Sequence, residues 1–273
     1  MMSEDSTTSL FRRLNWNSSV PLQIKLLDDS SDVIDTTFIS PSRFSYPSLI
    51  YQQLKIDLKL RDDDNFAFQV ELDDGSLHSL KLHWSIGLSY DYFTFNFISN
   101  TNMPPLRLIL QQNTQSPNTY AANILDSTKM SFMASLKESQ LVRWGTVKRM
   151  TSLKRSETEQ LWSSLEKNLF DDYFKVANKL LPNNTEETPR AVPIKLVLPD
   201  SIVIQDILPY HYSLLEYLQH ALPLLFPKNQ SKYQNLGYPV LHGTIIPLES
   251  IIGWLDGTLS SADGFLRICI IAF

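Results

Sequence analysis

The chain has 273 residues, 43% of them hydrophobic and 19% charged, with a formal net charge of −5. That apolar share is enough for a packed core and excludes a disordered chain, while the acidic balance excludes an overall nucleic-acid-binding charge. The single cysteine, Cys269, excludes an intrachain disulfide and favours a cytosolic setting, and no apolar run nears the roughly 20 residues that cross a bilayer.

The first residues, MMSEDSTTSLFRRL, lack the apolar core of a secretory signal. A short helix over residues 4–14 puts Leu10, Phe11 and Leu14 on one side. Leu22, Ile24 and Leu26 alternate, which reads as a half-buried strand. Asp28-Asp-Ser-Ser turns the chain, and the β-branched DVIDTTFIS is the return strand. Pro47 suits a first helical position, and Leu49, Ile50, Leu54, Ile56 and Leu58 follow it as a helix. Phe66 to Leu72 alternates and ends at Asp73-Asp-Gly75, a hairpin signal. His83-Trp-Ser-Ile-Gly-Leu-Ser-Tyr comes next, and Pro105 to Leu110 is a further strand. The order β-β-α-β-β describes a small roll, a mixed sheet crossed by one helix.

QQNTQSPNT is a polar linker. Ile124, Leu125, Phe132, Met133, Leu136, Leu141 and Val142 follow, marking a helix over 127–143 that Gly145 stops. A basic loop with Lys148, Arg149, Lys154 and Arg155 follows, beside Lys137 and Arg143. Ser156-x-x-Glu159 fits a capping box. Trp162, Leu165, Leu169, Tyr173, Val176 and Leu180 then form the apolar stripe of one long helix. After the linker Pro182 to Pro189, the β-β-α-β-β order returns. Its parts are Val192 to Leu198, Ser201 to Ile207, a helix around Leu214, Leu215 and Leu218, a short strand from Pro239, and the strong strand Phe265 to Phe273. Before that last strand, Pro247 to Leu255 is a helical turn with Leu248, Ile251, Ile252 and Leu255 inward. The repeated order around a helical middle is the main organisational feature.

No phosphate-binding loop, no G-x-S-x-G and no H-E-x-x-H occurs. The five histidines, His78, His83, His211, His220 and His242, are scattered without a completing Cys or carboxylate cluster, so neither a metal nor another cofactor is expected. Cys269 lies in a dense apolar strand, where a thiol behaves as a small hydrophobe rather than a nucleophile. Asp62-Asp-Asp64 and Asp73-Asp74 read as turns, and the aromatics of Tyr90 to Phe97 read as core. On charge alone the basic loop is a solvated patch, an anionic-membrane contact or the site of a modified lysine. A lysine amine attacks a thioester only when deprotonated, so an acceptor must be exposed and able to lose its proton.

Two blocks resemble the autophagy-related protein 5 family, its budding-yeast members most of all. One runs Lys148-Arg-Met-Thr-Ser-Leu through Leu161-Trp162 to Phe170-Asp-Asp-Tyr-Phe-Lys-Val-Ala-Asn-Lys. The other is His242-Gly-Thr-Ile-Ile-Pro-Leu, then Trp254-Leu, then Asp263-Gly-Phe-Leu-Arg-Ile-Cys-Ile-Ile. Leu14-Asn-Trp16-Asn and His83-Trp-Ser-Ile-Gly-Leu-Ser-Tyr-Asp are similar more loosely.

The resemblance implies an α+β chain with two ubiquitin-like β-grasp folds flanking a helix-rich domain. The expected divisions are 1–112, including the short N-terminal helix, 120–182 and 190–273. It implies a conjugation substrate and E3-like scaffold without catalytic residues of its own. A ubiquitin-like modifier, autophagy-related protein 12, is joined through its C-terminal glycine to one lysine by E1-like and E2-like enzymes. The matching position is Lys148, 14 residues before Trp162, and Lys154 is the competing acceptor in an unusually basic loop. With a coiled-coil partner, autophagy-related protein 16, the conjugate promotes transfer of a second modifier onto phosphatidylethanolamine. That work belongs to the cytoplasm, at the membrane of the preautophagosomal structure. The partner is expected as an amphipathic helix in an apolar groove between domains. Trp16 either lines that groove or packs on the first sheet. Two further readings stand beside this one: a membrane-binding adaptor working through Arg149, Lys154 and Arg155 independently of conjugation, and an enzyme working through Cys269.

Overall fold

The computed structural model describes residues 4–28, 30–60, 66–94, 104–112, 124–181, 189–229 and 235–272. Asp62 to Asp64, Phe95, Phe97 and most of both linkers lie outside these residues. Residues 18–132 form one compact unit, and residues 1–17 with 133–273 form another.

Each unit contains a five-stranded roll of the same topology. After the N-terminal helix α1 (Glu4–Trp16), the first roll runs β1 (Leu22–Leu27), β2 (Val33–Ile39), α2 (Pro47–Asp57), β3 (Phe66–Glu71), β4 (Leu77–Ser79), α3 (Ile86–Thr94) and β5 (Leu106–Gln112). Its strand order is β2-β1-β5-β3-β4, with β1 and β5 parallel and every other pair antiparallel. Leu22 and Ile24 point inward as their alternation requires, and they meet Ile50, Leu54, Phe68 and Leu108 in one core.

The helical elements follow: α4 (Ile124–Trp144), α5 (Lys148–Thr151), α6 (Arg155–Glu166) and α7 (Phe170–Ala177). The second roll then runs β6 (Val192–Val197), β7 (Val203–Leu208), α8 (Leu214–Ala221), β8 (Gly237–Leu241), β9 (Thr244–Ile245), α9 (Ile252–Leu259) and β10 (Leu266–Ala272). Its order, β7-β6-β10-β8-β9, again has a parallel centre, β6 with β10. Val192, Ile194, Leu218, Leu255, Ile268 and Ile270 belong to its core.

The repeat is closer than β-β-α-β-β. Each roll has a short fourth strand and a second helix before its last strand, and both of those helices open on Ile-Gly. In the first, Ile86 N–H donates to Ser45 O and Gly87 N–H to Arg43 O, each at 2.8 Å. In the second, Ile252 N–H donates to Tyr212 O at 2.8 Å and Gly253 N–H to Tyr210 O at 2.9 Å. A side chain at either glycine meets that strap directly: a Cβ on Gly87 lies 2.7 Å from the Arg43 Cβ, and one on Gly253 lies 2.3 Å from the Tyr210 ring.

Several expectations need correction. The Pro247 to Leu255 turn is a helix that starts only at Ile252, so Ile251 is its N-cap and is exposed. The single helix after Ser156 is two helices. Asn168 takes a left-handed conformation, φ 53°, directly after the α6 C-cap, and the chain turns there. Leu169 therefore caps α7 and is exposed, while Trp162, Leu165, Tyr173, Val176 and Leu180 are buried. The N-terminal helix, expected to accompany the first roll, packs instead on α7 and α9. Phe11 meets Trp254 edge-on at 5.4 Å, Arg12 Nε donates to Gly257 O at 2.8 Å, and the Arg13 guanidinium lies 4.2 Å over the Phe170 ring.

Candidate functional site

The residues around Lys148 occupy a corner between the end of α4 and the start of α6. Gly145 ends α4 with φ 69°, a conformation open to glycine at little cost. The expected basic loop then forms one short helical turn, α5. The Lys148 N–H donates to Thr146 Oγ1 at 3.2 Å, and Ser152 Oγ donates to Arg149 O at 2.9 Å.

Rotation along the helix sends successive side chains of this turn in different directions, at about 100° per residue. Met150 points inward and is buried. Arg149 lies along the surface. Its guanidinium carbon sits 3.8 Å from the centre of the Trp144 ring, and Nη1 donates to Lys179 O at 3.3 Å. The Trp144 indole N–H donates to Leu180 O at 3.0 Å. Two carbonyls just past α7, which lack helical partners, are thus bound by the two residues that flank the corner. Lys148, about 200° from Met150 on the same turn, is exposed, and its ammonium has no hydrogen bond or ion pair among the described residues.

The capping interaction sits two residues earlier than expected. Lys154 is the N-cap, and the Glu157 carboxylate accepts its backbone N–H at 2.9 Å. A lysine ammonium has no acceptor to return the second bond of a capping box. Glu157 also accepts from Lys179 Nζ, and this bond, followed by that from Lys154, holds the carboxyl below its usual value.

The six basic residues of the expected patch therefore separate. Lys137, Lys148, Lys154 and Arg155 are exposed. Arg149 is half-buried, stacked on Trp144 and bonded to Lys179 O, and keeps its charge. Arg143 leaves the patch entirely. It is fully buried, with Nε donating to Asp256 Oδ2 at 3.0 Å and Nη2 to Asp256 Oδ1 and Gly264 O. Its position, one helical step before Trp144, gave no sign of this, because the partner lies in α9.

Trp16 is 1% exposed. Its ring lies 4.7 Å from Tyr173, 5.8 Å from Phe174 and 6.1 Å from Phe170, so it packs on α7. The apolar surface nearby belongs to Leu10, Leu14 and Trp254, all exposed, a feature the sequence signalled only through the amphipathic pattern of α1. Cys269 is buried in β10. His242 bonds Leu259 O at 2.9 Å and His78 bonds Ser76 Oγ at 3.2 Å. Among the described residues no group of three or more metal-ligating side chains gathers, and no helix is long and apolar enough to cross a membrane.

Three family models match this chain in order. They are the UblA domain of autophagy protein ATG5 over residues 15–112, its alpha-helical bundle region over 125–183 and its UblB domain over 191–270. Autophagy protein 5 of Phaeosphaeria nodorum is 26% identical and that of Aspergillus oryzae 25%, with 99% and 98% of this chain covered and 99% of each relative. A crystal structure of Kluyveromyces marxianus Atg5 superposes with a TM-score of 0.75 at 18% identity, covering 96% of this chain and all of that one, which supports the fold. The two rolls are thus ubiquitin-like folds, and the helices between them in sequence are a helical bundle, as the sequence led us to expect.

Proposed function

The chain belongs to the autophagy protein 5 family and has a role in autophagy, and from that premise we propose that Lys148 is the acceptor of a ubiquitin-like modifier. The observation that carries this reading is the unpaired, exposed Lys148 ammonium on a turn whose next two side chains are fixed. An E2-like enzyme brings the modifier as a thioester of its C-terminal glycine. After Lys148 Nζ gives up a proton, its lone pair attacks the thioester carbonyl. The N–C bond forms, the C–S bond breaks, the cysteine leaves as a thiolate, and the nitrogen releases its second proton to water to leave the neutral amide. This chain supplies the nucleophile and no further catalytic group, in keeping with a Cys269 that is buried.

Lys154 is the less suitable acceptor. It is the N-cap of α6, where its backbone N–H is bonded to the Glu157 carboxylate, rather than part of the α5 turn. The conjugate, with a coiled-coil partner, then acts E3-like toward a second modifier and phosphatidylethanolamine. The exposed Leu10 and Leu14 on α1 and Trp254 on α9, two helices that meet through Phe11 and Trp254, suit one amphipathic helix of that partner.

Reconstitution with the modifier and its E1-like and E2-like enzymes tests the acceptor. Lys148→Arg is expected to abolish the conjugate, and a full yield from that variant overturns the assignment. The alternative, membrane adaptation through Arg149, Lys154 and Arg155 without conjugation, predicts flotation of the unmodified chain with anionic vesicles. That binding should vanish when the three charges are neutralised.

A further inference from the structure

We infer that Arg149 is a positioning residue for conjugation, holding the turn that presents Lys148 by stacking on Trp144 and bonding the chain end beyond α7. The inference rests on the assignment of Lys148 as acceptor. A four-residue helix has almost no stability of its own, because nucleation fixes several residues for the first hydrogen bond. The α5 turn must therefore be held from outside. Met150 holds it from beneath. Arg149 holds it from the side, through a face-on contact with the Trp144 ring and a hydrogen bond to Lys179 O.

The partners are themselves fixed. Trp144 is bonded to Leu180 O, and Lys179 is tied through its ammonium to Glu157. Glu157 in turn caps α6 at the Lys154 N–H. These contacts run from the end of α4 across the stretch after α7 to the start of α6, and so close a frame around α5. A planar guanidinium can stack and donate at once, which a lysine ammonium cannot do in the same geometry. The identity of residue 149 therefore matters beyond its charge.

Attack on a thioester requires the amine at a defined distance and angle, and small misplacements cost rate rather than affinity. The test is single-turnover transfer from a preformed thioester of the modifier on its E2-like enzyme, with the full chain varied in concentration. Arg149→Ala is expected to lower the maximal rate roughly tenfold with the half-saturating concentration little changed. Mass spectrometry should show a rising share of product at Lys154. Arg149→Lys, which keeps the charge, should remain slow. Trp144→Phe, which keeps an apolar ring but loses the indole N–H, should slow transfer roughly threefold and serves if Arg149→Ala folds poorly.

Wild-type rates in both Arg149→Ala and Trp144→Phe overturn the inference. Full recovery by Arg149→Lys also overturns it, because charge alone then explains the effect. Lys148→Arg in the same assay separates the two levels. If it still accepts the modifier, the acceptor assignment has failed and this inference with it; if it does not, the Arg149 variants judge positioning alone.

Discussion

Asp256→Asn removes the charge that partners Arg143 while keeping the volume. Both side chains are fully buried, and Arg143 donates to the carboxylate through Nε and Nη2. Breaking a buried pair from one side leaves an uncompensated charge in a low-dielectric site and costs about 3–5 kcal/mol. For a domain of about 150–250 residues each kcal/mol corresponds to about 2–4 °C, so the unit formed by residues 1–17 and 133–273 should lose about 6–20 °C in melting temperature. The double change Arg143→Met with Asp256→Leu removes both charges and should recover part of the loss, since apolar replacements of buried pairs are often neutral. Recovery should be incomplete. Gly264 O, which is buried, loses its partner at a cost of about 1–3 kcal/mol, while the half-buried Ser260 hydroxyl can turn to water. Urea unfolding, read with hydrogen exchange at the amides of α9 and β10, follows this unit separately from residues 18–132. A cost below about 1 kcal/mol for Asp256→Asn, or a double variant less stable than the single, would refute the reasoning.

Glu157 holds its carboxyl low through Lys179 first and the Lys154 N–H second, so its stabilising effect is complete above the ordinary glutamate value of 4.5. It fades as pH falls through the lowered folded value. Melting curves should show wild type more stable than Glu157→Gln at pH 7, with the difference closing in acid; a constant difference rules out the carboxylate. Cys269 is 1% exposed, so a thiol reagent should label it only as fast as the second roll opens, and fast once the chain is unfolded. Rapid labelling of the folded chain would revive a reactive role. Exchanging the two residues, Lys148→Arg with Arg149→Lys, preserves composition and charge but turns the amine by about 100° towards the Trp144 ring. Conjugation should fall to the level of Lys148→Arg alone, and a wild-type yield speaks against the geometric account.

The rolls were legible because their signals are local. Alternation in Leu22 to Leu27 marks a strand with one buried face, and the apolar run in Leu266 to Ile271 marks one buried on both, although both lie inside their sheets. The second helix of each roll was harder to read. Ile86-Gly87 and Ile252-Gly253 put a poor helix former in the first turn, and the reason lies in a backbone strap about forty residues away in sequence. The break at Asn168 had a sequence signal, an asparagine able to adopt a left-handed conformation, but it sat inside an unbroken apolar stripe. Periodicity runs straight through a tight turn when both helices bury the same side.

Arg143 and Arg149 illustrate what a charge count cannot resolve. Both belong to one basic cluster in sequence, yet one pairs with Asp256 on another element and the other stacks on a tryptophan five residues earlier. A charge's environment is set by long-range packing, whereas its presence is set by sequence. For Lys148 the relevant fact is angular. On a single turn, the residue that anchors it and the residue that clamps it leave one direction open to solvent, and Lys148 occupies that direction. The family resemblance singles out Lys148 by position, and the frame around α5 gives a physical account of why that position is presented.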